Sequence, residues 1–304
     1  MALRWASYWL ARYVENGEFK RRRLEWRREV VVITGGAGGL GQAIIEQLLL
    51  KCPGVRIASL DLAPAPAHSN PSVVYYQTNI LDEADIARAA KDIREKWGEP
   101  SVIINNAGIL RSKELLELTG KEFDLTLKVN VLGSFLVIKE FLPAIAKRNH
   151  GHIVQVASTA GWLTVPGMVD YAVSKAGAVA FHEGLSAELK YRYNAPQVRT
   201  SCICPLKIDT PLGSIVADHK GATMPAKLTP QGVAKIIVDQ LNSGLSGNMV
   251  FVPGNLSATL PLIRYFPAYF RALFYRASAL NDFSTKNTRE TGLKSGYKIL
   301  VDDL

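Results

Sequence analysis

Residues Val30 to Ile45 read VVVITGGAGGLGQAII. Four apolar β-branched residues in succession offer no polar face, so a strand made of them must be covered on both sides. A cluster of glycines follows, then a run whose apolar residues have helical spacing. A strand that turns sharply into a helix sends the chain back across the sheet, and the next strand then lies parallel to the first.

The alternation continues to the end of the central region. VRIASL (55–60), SVVYYQ (72–77), SVIIN (101–105), HIVQVAS (152–158), VRTSCIC (198–204) and NMVFVP (248–253) read as six more strands. Helices are expected at 83–97, 168–193 and 230–242, with one or two over 121–148 and Pro143 near their end. The expected fold is α/β: one Rossmann-like doubly wound domain with a seven-stranded parallel sheet. The expected units are a basic aromatic extension (1–28), a dinucleotide-binding catalytic domain (29–255) and an amphipathic extension (256–304).

Ligands of such sheets bind at the carboxyl ends of the strands. The glycine stretch lies at the first of them. It fits GxGxxG through Gly36, Gly38 and Gly41, and T-G-x3-G-x-G through Thr34, Gly35, Gly39 and Gly41. Glycines let a backbone approach a pyrophosphate, and the N–H groups that open the helix attract its charge. A merely tight strand-to-helix turn is the plainer alternative. Asp61 ends the second strand, where a carboxylate accepts hydrogen bonds from both ribose hydroxyls and repels a 2′-phosphate. Leu62, Ala63 and Gly38 offer that phosphate no cation, so NAD is favoured over NADP; Asp61 also reads as an ordinary turn cap. Asn105, Asn106, Ala107 and Gly108 close the fourth strand with a small step on which an adenosine could lie, or with an ordinary turn.

Ser158 ends the fifth strand, and Tyr171 and Lys175 lie four apart on the helix that follows, on one face. A free phenol has a pKa near ~10, and a neighbouring ammonium favours its ionised form. A phenol so tuned exchanges a proton with an alcohol or a carbonyl. Ser158 is placed to hydrogen-bond the same oxygen. The loop between them carries Trp162, Leu163, Val165 and Met168 as apolar walls.

These residues together resemble the short-chain dehydrogenase/reductases. The likeness covers about 28–255 and rests on the glycine motif at 34–41, NNAG at 105–108, Asn130 in LKVNVLGSF, Ser158, and YAVSK at 171–175. It implies Tyr171 as general acid/base and Lys175 as the group that tunes it and binds the nicotinamide ribose. It implies Ser158 as the orienter of the substrate oxygen, and Asn130 as the holder of a relay water. Leu40, Asn106, Lys128, Ile208 and Thr210 match positions where the family touches its cofactor. Two positions depart from the family's pattern. Asn79 stands where an aspartate usually meets adenine, and Leu206 follows Pro205 where a glycine is usual. RRLEWRREVVVITGGAGGLG further resembles the membrane-associated retinol and 17β-hydroxysteroid dehydrogenases. That likeness implies hydride transfer between NAD and a lipophilic alcohol, ketone or aldehyde of the retinoid, steroid or long-chain class.

The charge is unevenly spread. Residues 1–29 hold eight Lys/Arg against four Asp/Glu, residues 257–304 seven against four, and the span between them 21 against 19. A near-neutral body argues against nucleic acid as a partner. Basic ends with aromatic residues suit an anionic membrane or lipid-droplet surface. Ile263, Phe266, Pro267, Phe270, Leu273 and Phe274 form one helical stripe beside Arg264 and Arg271; Trp5, Tyr8, Trp9 and Tyr13 stand at the other end. These segments alternatively cover the substrate cleft or a subunit contact. No apolar run reaches the ~20 residues of a membrane span. Cys52, Cys202 and Cys204 have no metal spacing and read as buried apolar residues of a reducing compartment, with Cys202 and Cys204 on one side of a strand. The expected setting is intracellular, cytoplasmic or peripheral on the endoplasmic reticulum or a lipid droplet, as a dimer or tetramer. An NADPH-dependent carbonyl reductase and a cofactor-binding scaffold with incidental catalysis are the competing readings.

Overall fold

The computed structural model describes residues 22–66, 70–215 and 228–265, together with 267, 269, 272 and 273. The aromatic stretch at 5–13 and Phe266, Phe270 and Phe274 of the C-terminal stripe lie outside the described residues. Seven strands form one parallel sheet: β1 (Val30–Thr34), β2 (Arg56–Asp61), β3 (Val73–Gln77), β4 (Val102–Asn105), β5 (His152–Val156), β6 (Arg199–Pro205) and β7 (Gly247–Val252), in the order β3-β2-β1-β4-β5-β6-β7. The helices are α1 (Gly39–Lys51), α2 (Glu83–Trp97), α3 (Gly120–Arg148), α4 (Val169–Tyr191), the short α5 (Pro211–Ser214), α6 (Pro230–Ser243) and α7 (Leu260–Tyr265).

The β-branched run is buried on both faces, as its lack of a polar side requires. Val31 and Ile33 point into one core layer with Ile44 and Leu48 of α1 and Ile237 and Leu241 of α6. Val30 and Val32 point into the other, with Ile86 and Ile93 of α2, Phe141 and Ile145 of α3, and Leu185 of α4. Alternate residues of one strand therefore anchor both helical layers. Cys202 and Cys204 share a face of β6 in a smaller apolar cluster, their sulfurs 3.9 Å apart.

Side chains fix several helix starts. Asp82 accepts from the N–H groups of Ala84 and Asp85 at the start of α2, Thr119 and Glu122 form a reciprocal cap on α3, and Thr229 caps α6. α1 begins at Gly38 with no side-chain cap, which leaves its first N–H groups to another partner.

The 121–148 region is one rod with a wider π-helical stretch over Lys128–Gly133. By length and composition it could cross a membrane. Here Leu136, Val137, Ile138, Phe141 and Ile145 spend its apolar face on the sheet and its neighbouring helices. It stops at Asn149, whose φ of 47° is left-handed and ends the helix.

At the opposite edge, buried Glu29 takes hydrogen bonds from the Ser101 hydroxyl and from His150 at 3.0 Å. Burial alone would raise Glu29, but the bonds from His150 and Ser101 outweigh it and hold the carboxyl below its usual value. The hydrogen bond to Glu29 raises His150 above 6.5, against a smaller opposing effect of burial. The His150 contribution is complete below the unfolded pKa of 6.5 and fades as pH climbs through the raised value. The Glu29 contribution is complete above 4.5 and fades as pH falls. Thermal unfolding of His150→Gln should therefore show its largest loss of Tm between these two values and a shrinking one at alkaline pH. A loss that does not vary with pH would refute the ion pair.

Candidate active site

The strand order reverses between β1 and β4, the switch point at whose carboxyl ends an open α/β sheet forms its ligand crevice. Its floor is tied by polar contacts. Thr34 Oγ1 accepts from the backbone N–H groups of Asn106 (3.1 Å) and Ala107 (3.0 Å). Asn106 Nδ2 donates to the carbonyls of Thr34 (3.1 Å) and Gly35 (3.0 Å). Asn105 is buried, its amide donating to Ser134 O and Gln155 Oε1. The two asparagine amides thus tie the floor of the crevice from within.

The glycine loop fits a dinucleotide's phosphates on two grounds. A Cβ on Gly41 would sit 1.9 Å from the Gly35 carbonyl oxygen, so the helix start packs on the loop as only glycine allows. The uncapped start of α1 then presents free N–H donors at this place. Asp61 closes β2 beside the loop, with Oδ2 accepting from Ala37 N at 2.9 Å and Oδ1 from Ala63 N at 3.0 Å. These bonds fix the carboxylate at the end of β2, beside the glycine loop. Asn79 caps its own turn, Oδ1 accepting from Leu81 N at 2.9 Å. Leu40 is buried in the core beneath the loop, and Thr210 lies across Gly39, where an added Cβ would stand 3.4 Å from its side chain. Ile208 bridges to Leu228 and packs on the same layer. Lys128 is drawn elsewhere: its ammonium meets Asp124 at 2.7 Å, about half exposed.

Ser158, Tyr171 and Lys175 converge at the ends of β5 and α4. Ser158 caps the turn Thr159–Gly161 through Ala160 N (3.1 Å) and bonds to the phenol of Tyr171. Lys175 Nζ donates to Val156 O at 2.9 Å and stands 5.5 Å from the centre of the Tyr171 ring. An added Cβ on Gly108 would come within 3.5 Å of that nitrogen, so glycine keeps the space before the amine open. Asn130 is fully engaged within the protein, bonded to Ile109 and Ser174.

Burial governs both titrations. It pushes the Tyr171 phenol up to about 12, against a lowering by the Ser158 hydrogen bond, and it pulls the Lys175 ammonium down to about 8. The phenol is therefore not made acidic in the site as it stands: loss of water outweighs the Ser158 hydrogen bond. A phenol in this state is a proton donor at neutral pH.

Tyr171 borders an apolar cluster of Leu110, Val165, Met168, Leu212 and Ile215. Sequence reading placed Val165 and Met168 here but missed Leu110, Leu212 and Ile215. Their only signal is apolar character in the loops after β4 and β6. Trp162 and Leu163 turn the other way and pack with Cys202, Cys204 and Phe251, the Trp162 and Phe251 rings 5.6 Å apart. Leu206 donates its N–H to Val252 O at 2.9 Å. Among the described residues, Asn149 and Asn194 are the non-glycine residues with positive φ, so leucine at 206 carries no left-handed strain.

The family model for short chain dehydrogenases matches residues 29–220. The chain belongs to that family. This short-chain dehydrogenase is 40% identical over 200 residues to the dehydrogenase RED2 of Cochliobolus heterostrophus, covering 65% of this chain and 74% of the relative. It is 33% identical over 254 residues to estradiol 17-beta-dehydrogenase 11 of Rattus norvegicus, covering 80% and 81%. The fold matches that of an aldohexose dehydrogenase from Thermoplasma acidophilum with a TM-score of 0.66 at 22% identity, over 78% of this chain and 96% of that one. The short-chain dehydrogenase is thus an oxidoreductase of CH–OH donors that uses a nicotinamide cofactor, NAD or NADP.

Proposed function

We propose that this enzyme oxidises lipophilic alcohols, or reduces the matching ketones or aldehydes, with NAD, and that Tyr171 carries the proton. The observation that supports this most is the apolar cluster of Leu110, Val165, Met168, Leu212 and Ile215 around a phenol that Ser158 also touches. A retinoid, steroid or long-chain alcohol is the class such a wall favours, since each buried methylene contributes roughly 0.8 kcal/mol. Similarity to an estradiol 17-beta-dehydrogenase supports the same class.

Bound NAD supplies the hydride acceptor, or as NADH the donor. The chain's own groups do the rest. The start of α1 and Gly35, Gly39 and Gly41 would hold the pyrophosphate, Asp61 the adenosine ribose, Asn79 the adenine, and Lys175 Nζ the nicotinamide ribose. Ser158 Oγ fixes the substrate oxygen. Tyr171 Oη gives that oxygen a proton in reduction and takes one in oxidation.

The raised phenol sets the pH behaviour. Its ionised fraction grows as pH rises toward about 12, so alcohol oxidation should climb through the alkaline range while carbonyl reduction does not. A screen of retinoids, steroids and fatty alcohols with NAD at alkaline pH, read at the nicotinamide absorbance, tests the class. Tyr171→Phe should lower kcat by about 10²–10⁴-fold. Full turnover by that variant would remove Tyr171 from the chemistry.

Asp61 fixes the cofactor preference in this reading. Asp61→Asn keeps the shape and removes the charge, and should narrow the ratio of kcat/KM for NAD over NADP by about tenfold, or about 1.4 kcal/mol. An unchanged ratio would count against it.

The basic, aromatic ends support peripheral attachment to an anionic membrane or lipid-droplet surface. The chain should float with anionic liposomes, and deletion of 256–280 should weaken that flotation. Equal flotation of the deleted chain would refute a role for this segment.

A further inference from the structure

α3 and α4 meet beneath the site through two buried side-chain hydrogen bonds. Thr126 Oγ1 donates to Asp170 Oδ2 at 2.7 Å, and Asn130 Nδ2 donates to Ser174 Oγ at 2.8 Å. Thr126 and Asn130 are four residues apart, and so are Asp170 and Ser174. The contacts therefore form two rungs one turn apart, facing each other across the helix pair. Tyr171 and Lys175 each follow a rung residue by one position, about 100° further round the helix. Whatever fixes the rungs thus fixes the direction in which the phenol and the ammonium leave α4.

The upper rung extends in both directions. Ser174 Oγ donates on to the Tyr171 carbonyl at 2.7 Å. Asn130 grips Ile109 twice, its Oδ1 accepting from Ile109 N at 2.7 Å and its Nδ2 donating to Ile109 O at 2.9 Å. Ile109 precedes Leu110, a wall of the pocket at Tyr171. A single amide therefore joins the pocket wall to the helix that carries the phenol. Asn130 is 1% exposed, and Thr126, Asp170 and Ser174 are fully buried. In the lower rung, Asp170 Oδ1 has no hydrogen-bond partner among the described residues. Apolar residues would pack here with less cost of desolvation but could slide or rotate, whereas a hydrogen bond has one geometry.

We propose that Ser174 and Asp170 are positioning residues, a two-rung ladder that sets the rotation of α4 and aims Tyr171 and Lys175 at the substrate oxygen. This rests on the reading of Tyr171 as the proton carrier. Displacement of a reacting group by about 1 Å costs on the order of 10²-fold. Ser174→Ala should accordingly lower kcat by about ten- to a hundredfold. It should also shift the alkaline limb of the kcat profile. Ser174→Thr, which keeps the hydroxyl, should restore kcat and the profile; Ser174→Cys should not. Thr126→Val should change the profile in the same direction as Ser174→Ala. Ser174→Ala that folds by circular dichroism with native kcat and native pH profile would overturn the ladder. If Ser174→Ala does not fold, the Thr and Cys variants decide: equal activity in both overturns the proposal, and a deficit confined to Cys supports it. Tyr171→Phe runs in parallel. If it is inactive while Ser174→Ala is native, the ladder alone falls; if it is fully active, the reading of Tyr171 falls and takes the ladder with it.

Discussion

The need to cover both faces of a parallel sheet organises the rest of this molecule. β1 has no polar side, so helices must lie above and below it, and every strand must leave at the same edge to reach them. That edge collects Thr34, Asp61, Asn106, Ser158 and Leu206 from five different strands. No local sequence preference brings these residues together; the shared direction of the strands does. The reversal of order between β1 and β4 then opens the one place along the edge where successive connections diverge to opposite faces.

Within that crevice, polar groups are used mostly to hold protein to protein. Thr34 and Asn106 clamp the ends of β1 and β4, Asp61 fixes the glycine loop, and Asn130 clamps the wall to α4. An unpaired buried polar group costs about 1–3 kcal/mol, so these mutual ties leave few demands on a ligand. Among the described residues the crevice also holds the uncapped start of α1, the Lys175 amine, the Ser158 and Tyr171 hydroxyls and an apolar wall. That inventory separates the two ends of the site: one lined by the backbone of the glycine loop, and an apolar one that holds the Tyr171 phenol.

Much of this was legible in the sequence. Strands stood out because two-sided burial leaves uninterrupted β-branched runs, and the glycine loop because close packing admits no other residue at Gly41. The triad was legible because Tyr171 and Lys175 obey helical spacing. The direction of the phenol's titration was not, since spacing reports that a cation is near but not how much water is lost. The wall was half legible. Val165 and Met168 lie in the loop next to the triad, whereas Leu110, Leu212 and Ile215 arrive from β4 and β6 by the topology of the sheet. Trp162 illustrates the limit, for a large apolar side chain in the same loop has two apolar neighbourhoods to choose from, and the sequence does not say which way the turn at Thr159–Gly161 sends it.

The loop after β6 shows how the fold tolerates a departure from its family's habit. A glycine is replaceable where its backbone stays in the ordinary region and its missing Cβ is not demanded by a neighbour. Leu206 meets the first condition, and its N–H is already taken by Val252 of the last strand. The segment beyond it still reaches back to lay Thr210 across Gly39 and to bring Leu212 and Ile215 to Tyr171. One connection thus touches the glycine loop and the apolar cluster at once. A displacement of Leu212 or Ile215 would therefore press on the same segment that borders the glycine loop.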